Sequence, residues 1–237
     1  MLDILGAVFG TAVLAVQAGI LAGLAPASPR GKLTAVIATA AWGALIVAIA
    51  AAGGFGPGAT GPLPAPVIPF VLSLAILFGA WGRLPRFRSA LLGVPLPALI
   101  GLNVARLGGV FFLILETRGR LSASFATPAG VGDIAVATLA IPLALAAARG
   151  VARPGWVRAW NTLGALDLIV AISAGLLSAP GTPFRVFTDG PGTLAMTELP
   201  WILVPAVIVP LYLLIHLTIA VKVRAPESAR QAVAVAR

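Results

Sequence analysis

Apolar runs of about twenty residues recur along the chain, and this repeated length constrains the fold more than any other feature. At a rise of 1.5 Å per residue, roughly twenty helical residues cross about 30 Å of hydrocarbon. Seven runs are long enough, over 4–24, 33–53, 66–83, 97–115, 128–148, 159–179 and 199–221. Lipid offers no partner to a backbone N–H or C=O, so runs of this length must satisfy their own backbone as helices. The expected fold is all-α, a polytopic bundle of about seven transmembrane helices over 1–223, followed by a basic cytoplasmic tail over 224–237. A hydrophobic fraction of 59%, a charged fraction of 10% and a mean hydropathy of +1.05 exclude a soluble domain. "SALLGVPLPA" at 89–98 is too short to cross and carries Pro95 and Pro97, so it reads as an interfacial or re-entrant lead into the fourth span.

The formal charge of +9 would suggest nucleic acid in a soluble protein. Here the basic residues punctuate apolar spans, so the expected partner is the lipid bilayer, with no nucleic acid. Twelve of them fall on one side of the seven spans: Arg30 and Lys32, then Arg83, Arg86 and Arg88, then Arg149, Arg153 and Arg158, then Lys222, Arg224, Arg230 and Arg237. The other side holds three, Arg118, Arg120 and Arg185. The positive-inside rule then sets the N-terminus outside and the C-terminus inside. Trp81, Trp156 and Trp201 fall at span boundaries, as an aromatic belt requires. Met1-Leu2-Asp3 lacks the basic start of a secretory signal, so the first run is expected to remain as a helix. Frequent alanine, glycine, proline and arginine point to a bacterial chain and an inner (cytoplasmic) membrane. The connection 180–198 reads as a flexible loop, with folding over the outer mouth as the sharper alternative.

Within this frame one residue is out of place. Arg106 lies at the midpoint of the fourth run, where an arginine costs roughly 2.5–3.5 kcal/mol on insertion scales. It needs a buried partner, and depth selects Asp167 in the sixth run first, with Asp133 in the fifth able to share the guanidinium. A triad of one arginine and two carboxylates would carry a net charge of minus one, able to hold a proton or attract a cation. Asn103, Asn161 and His216 lie on the inward side of the same layer, with Tyr212 and Gln17 near it. These residues suggest a polar track toward the cytoplasm, continued outward by Asp133 and then Glu116 or Glu198. The prolines of the last run, Pro200, Pro205 and Pro210, either only kink the helix or free carbonyls to line a cation path. "GAVFG" at 6–10 and "GILAG" at 19–23 match the small-residue pattern of close helix contacts.

Several classes are disfavoured. One histidine and no cysteine do not supply an intramembrane zinc site, and a single chain lacks the two histidines of a bis-histidine haem. A retinal Schiff base needs a lysine deep in the last helix, whereas Lys222 stands at its inner end. No HExxH, GxSxG or Walker pattern occurs. No cofactor and no catalytic residue are expected.

Four blocks, "RLGGVFFLIL", "FATPAGVGD", "WNTLGALDL" and "LPWILVPAVIVPLYLLIHL", resemble an uncharacterised family of bacterial multi-spanning proteins. The resemblance runs from about Ile100 to the end of the seventh run, and the first 95 residues carry none of it. It implies no activity, but Arg106, Asp133, Asn161, Asp167 and His216 all lie in its blocks.

Two readings follow. In one, Arg106, Asp133, Asp167, Asn103, Asn161 and His216 form a substrate or proton site of a small-solute or cation transporter or binding protein. In the other, the same cluster holds together a non-catalytic subunit that assembles with itself or with another membrane protein.

Overall fold

The computed structural model describes residues 1–56 and 58–224, and among them there is no strand. The basic tail expected beyond Arg224 lies outside the described residues. Six segments are long and apolar enough to cross a membrane. They are α1 (Leu2–Leu24), α2 (Pro29–Ala51), a broken segment (Leu96–Thr117), a fifth (Ala123–Ala148), a sixth (Pro154–Leu177) and the last (Val204–Arg224). Between the second and third of these lies α3 (Val67–Arg83), which bends by 95° onto α4 (Pro85–Gly93). The bend has a local cause. Leu84 precedes proline, which disfavours its α conformation, and it takes φ −112° and ψ 92°. Pro85, which lacks an N–H at a position where one would have no intrahelical partner, then begins α4. The short segment between α3 and the broken span therefore holds a separate helix, α4, before the chain turns at Val94 and Pro95.

Where a single straight helix is expected over 97–115, the chain forms α5 (Leu96–Gly101), a 3-10 stretch (Leu102–Gly109) and α6 (Val110–Thr117). A 3-10 stretch has three residues per turn, so Asn103, Arg106 and Gly109 stand in one row. All three are buried. That row faces α7 (Ala123–Ala148), the central helix, which packs along the whole broken span and against α8 (Pro154–Leu177). α8 in turn packs on the last span, a π turn (Val204–Ile208) leading into α9 (Val209–Arg224). α1 and α2 pair with each other at the periphery.

The last span corrects the expectation of free carbonyls. Pro210 has no N–H for the Ala206 carbonyl, but Ser73 Oγ on α3 donates to that oxygen at 2.5 Å and accepts from Trp42 Nε1 at 2.8 Å. The Trp201 carbonyl, which Pro205 leaves, accepts from Val204 N at 3.0 Å. The prolines thus create acceptors that neighbouring groups occupy. The two GxxxG patterns are also not helix contacts of the expected kind. A Cβ at Gly10, Gly19 or Gly23 would meet nothing within 4 Å, and Gly6 instead lies under the Trp201 ring.

Trp201 is buried rather than belted at the interface, and its Nε1 donates to Asp3 Oδ1 at 2.7 Å. Asp3 also accepts from Arg120, which bridges to Glu198 at 3.0 Å. The hydrogen bond to Asp3 raises the Arg120 pKa above its ordinary value. The connection 180–198 folds over this end of the bundle and is not a plain loop. Val186 and Phe187 donate backbone N–H to the Leu177 carbonyl, Ser122 N–H donates to the Gly192 carbonyl, and a helical turn at Leu194–Thr197 buries Ala195 and Met196. Asp189 accepts from both the hydroxyl and the backbone N–H of Ser124, which hold its carboxyl below the usual range.

Candidate functional site

Arg106 is buried, with 1% of its side chain exposed, and it meets groups from three other segments. Its Nε donates to Asp133 Oδ1 on α7 at 2.6 Å, and its Nη2 donates to Asp167 Oδ2 on α8. Nη1 donates to the Gly164 carbonyl at 3.2 Å and lies 3.2 Å from His216 Nε2 on α9. The ring of Tyr212 stands 5.7 Å from the guanidinium carbon. Each buried donor nitrogen therefore has an acceptor, as burial of an arginine demands.

The tautomer of His216 follows from its other neighbour. Asn161 Nδ2 donates to the His216 carbonyl at 3.2 Å, which identifies the remaining amide atom, Oδ1, as an acceptor. That oxygen lies 2.9 Å from His216 Nδ1, so Nδ1 carries the proton. Nε2 is then the lone pair that accepts from Arg106. His216 is thus a neutral acceptor, and the sequence Asn161, His216, Arg106, Asp133 is one continuous hydrogen-bonded row.

Close approach of the backbones makes this possible. A Cβ on Gly109 would stand 2.6 Å from Asp133 Cβ and 2.8 Å from the Gly130 carbonyl oxygen. A Cβ on Gly164 would stand 2.5 Å from His216 Cε1 and 2.9 Å from its Nε2, and one on Gly132 would overlap the Asp167 carboxylate. These four glycines are the residues that inspection for charged groups misses. The signal was present in "RLGG", "PAGVGD" and "LGALD", where each glycine is a near neighbour of a cluster residue in sequence.

Of the six candidate residues, five are brought together: Arg106, Asp133, Asp167, Asn161 and His216. Asn103 is buried in the same row but donates to the Leu99 carbonyl at 3.1 Å, and its Oδ1 has no partner among the described residues. His216, expected on the inward side of the Arg106 layer, touches Arg106 directly. Counting residues from helix midpoints assumes straight helices, and the π turn before α9 breaks that assumption. Tyr212 donates to the Leu102 carbonyl at 3.3 Å. Gln17 is buried beside the Tyr212 hydroxyl without a fully formed hydrogen bond. The expected outward polar leg does not form: Glu116 accepts from Thr127 at the surface, and Glu198 pairs with Arg120.

What stands in place of that leg is a cavity of about 390 Å³, walled largely by aromatic and aliphatic side chains, with Arg106, Asp133 and Tyr212 at one end and Thr193 and Met196 toward the 180–198 connection. On the opposite side of the cluster, a groove between α3, α8 and α9 is lined by Phe78, Asn161, Thr162, His216 and Ala220. Asp133 with Arg106 thus faces one space, and His216 with Asn161 faces the other.

No curated protein and no solved structure matches this chain. Residues 63–224 match a family described as "Domain of unknown function (DUF8737)". The match begins at the approach to α3, upstream of the sequence blocks noted above, and takes in every residue of the Arg106 cluster while leaving out the peripheral pair α1 and α2. The chain therefore belongs to the DUF8737 family, an uncharacterised family whose matched region here is a set of apolar membrane-type helices around a buried arginine.

Proposed function

We propose that this is a seven-span protein of a bacterial inner membrane, N-terminus outside and C-terminus inside, that binds and moves a small solute or cation. The movement is linked to protonation of the carboxylates on Arg106. α3 completes the seventh crossing, with α4 lying at the inner boundary beside Arg83, Arg86 and Arg88. The protein works in the lipid bilayer without nucleic acid or cofactor, and its role is transport or binding rather than catalysis.

The observation that carries this reading is the position of the cluster between two spaces. The cavity opens from the Arg106–Asp133 pair toward the end that holds Asp3 and Glu198, and the groove beside His216 lies toward the end that holds Arg83 and Lys222. Charge adds to it. Arg106 with ionised Asp133 and Asp167 and neutral His216 sums to minus one, and Tyr212, the other titratable group facing them, is neutral. A buried surplus charge is costly until a proton or a cation cancels it, and the two cancel it in the same place.

Proton titration tests this without knowledge of the substrate. Purified protein in weakly buffered lipid nanodiscs is titrated from pH 8 to pH 5, and the same is done with Asp133→Asn and Asp167→Asn. The reading expects one fewer proton taken up by each folded variant. Identical curves for wild type and both variants would remove proton-linked carboxylates from the account.

A second reading is supported by the engagement of Arg106, each of whose nitrogens has a protein acceptor. In it the cluster sets the register of the four inner spans, and the protein is a homo-oligomer or a subunit of a larger membrane assembly. That reading expects Asp167→Asn to lower the melting temperature and leave proton uptake otherwise unchanged.

A further inference from the structure

The cavity beside Asp133 has a lining more specific than its position. Phe9, Phe70, Phe111, Phe112, Phe125 and Trp201 supply its walls. Its polar side chains are few, and most are already committed. Arg106 directs its donors at Asp133, Gly164, His216 and Asp167. Tyr212 donates to Leu102, and Thr193 Oγ1 donates to the Gly175 carbonyl at 3.3 Å. Asp133 differs. Its Oδ1 accepts from Arg106, no donor among the described residues reaches its Oδ2, and its side chain is 18% exposed where it lines the cavity.

The cavity therefore presents an acceptor of negative sign, every nitrogen of its one cation already has a protein acceptor, and it is otherwise a wall of aromatic faces. An anion would meet the Asp133 carboxylate beside a guanidinium whose charge two carboxylates already oppose. A hydrated alkali ion would lose its water to a wall that returns one oxygen. A protonated amine on an apolar body meets both demands, with N–H to donate to Asp133 Oδ2 and a cation that aromatic faces attract. Its charge also brings the cluster of one arginine and two carboxylates to neutrality.

We propose that the ligand of this cavity is an amphipathic organic cation, an ammonium group carried on an aromatic or branched apolar body, with the nitrogen on Asp133 and the body among Phe9, Phe111 and Phe125. This rests on the reading of the cluster as a ligand site and names the chemical class that site takes. Because the ammonium and a proton neutralise the same carboxylates, the amine binds more weakly as the medium is acidified.

Three probes of one shape test the class: 4-phenylbutylamine as the cation, pentylbenzene as its neutral counterpart and 5-phenylpentanoate as the anion. Binding is measured calorimetrically on the full chain in lipid nanodiscs, for wild type, Asp133→Asn and Gly10→Phe. Gly10 lines the cavity, makes none of the ion cluster's contacts, and a Cβ there meets nothing within 4 Å, so phenylalanine is introduced into open space. The amine should bind wild type and lose about tenfold or more in affinity in both variants, the equivalent of roughly 1.4 kcal/mol. Equal binding of amine and pentylbenzene, unaffected by Asp133→Asn, would overturn the proposal and leave an apolar pocket. Sodium or potassium binding that Asp133→Asn abolishes, with no amine binding, would overturn the organic class while sparing the carboxylate site. Absence of amine binding to folded wild type also overturns it, and if Asp133→Asn does not fold, Gly10→Phe decides.

Discussion

Replacing Arg106 by glutamine removes a charge and leaves four acceptors on three helices without their donor: Asp133 Oδ1, Asp167 Oδ2, the Gly164 carbonyl and His216 Nε2. Two carboxylates then share a buried site with no cation, and breaking a buried ion pair by deleting one partner costs about 3–5 kcal/mol. A neutral hydrogen bond between membrane helices is much weaker, averaging about 0.6 kcal/mol and reaching about 1.7. Trp42→Phe provides that reference within the same molecule, because it deletes the Trp42–Ser73 hydrogen bond at 2.8 Å while keeping an aromatic ring on the apolar cluster that Trp42 packs against. Unfolding in mixed micelles at neutral pH should therefore rank Arg106→Gln well below Trp42→Phe in stability. Adding Asp133→Asn to Arg106→Gln removes one of the two uncompensated charges, so the double variant should be more stable than Arg106→Gln alone. If Arg106→Gln costs no more than Trp42→Phe, or if the second substitution simply adds to the loss, the surplus-charge account of the cluster is wrong.

Other outcomes follow from the same geometry. Gly164→Ala places a methyl 2.5 Å from His216 Cε1 and should cost about 1–3 kcal/mol by overpacking, whereas Gly19→Ala, with nothing within 4 Å, should be neutral or mildly stabilising; thermal unfolding of the two variants checks the contrast. Arg120→Gln breaks the Asp3 and Glu198 contacts of a side chain 30% exposed, so its cost should stay under about 1 kcal/mol and vanish at high salt, in melts at two ionic strengths. Asp189 is held below the usual carboxylate range by Ser124, so the contribution of this contact is complete at neutral pH and is lost only as pH falls through the lowered folded value. Hydrogen exchange of residues 186–192 should show that acid-side loss of protection in wild type and not in Asp189→Ala, which should be less protected at neutral pH.

The apolar runs told the class of the protein because run length and hydrocarbon thickness are the same physical quantity, measured once along the chain and once across the bilayer. Arg106 was equally legible, since an arginine at the middle of an apolar run has to be answered by a carboxylate at similar depth, and the chain offers few. Asp133 and Asp167 followed from that demand, and Asn161 from its depth on the inward side of the same layer. Faces and handovers were not legible. Whether Arg106 meets His216 depends on a π turn that shifts the register of α9, and nothing in the hydropathy of "LVPAVIVPLYLL" announces it. Whether Pro210 frees a carbonyl depends on Ser73, 133 residues away from Ala206 in the chain.

Sequence alone determined that this chain forms apolar membrane-type helices, with an arginine that needs company, because those are consequences of transferring single residues from water to an apolar medium. Tertiary structure decided which residues keep it company. Gly109, Gly130, Gly132 and Gly164 bring the backbones of three segments close enough for one guanidinium to reach two carboxylates, a carbonyl and a histidine, and the shape around them leaves a cavity on one side and a groove on the other. Contacts of this kind belong to pairs of helices at a particular rotation and separation, and one strand of sequence contains neither.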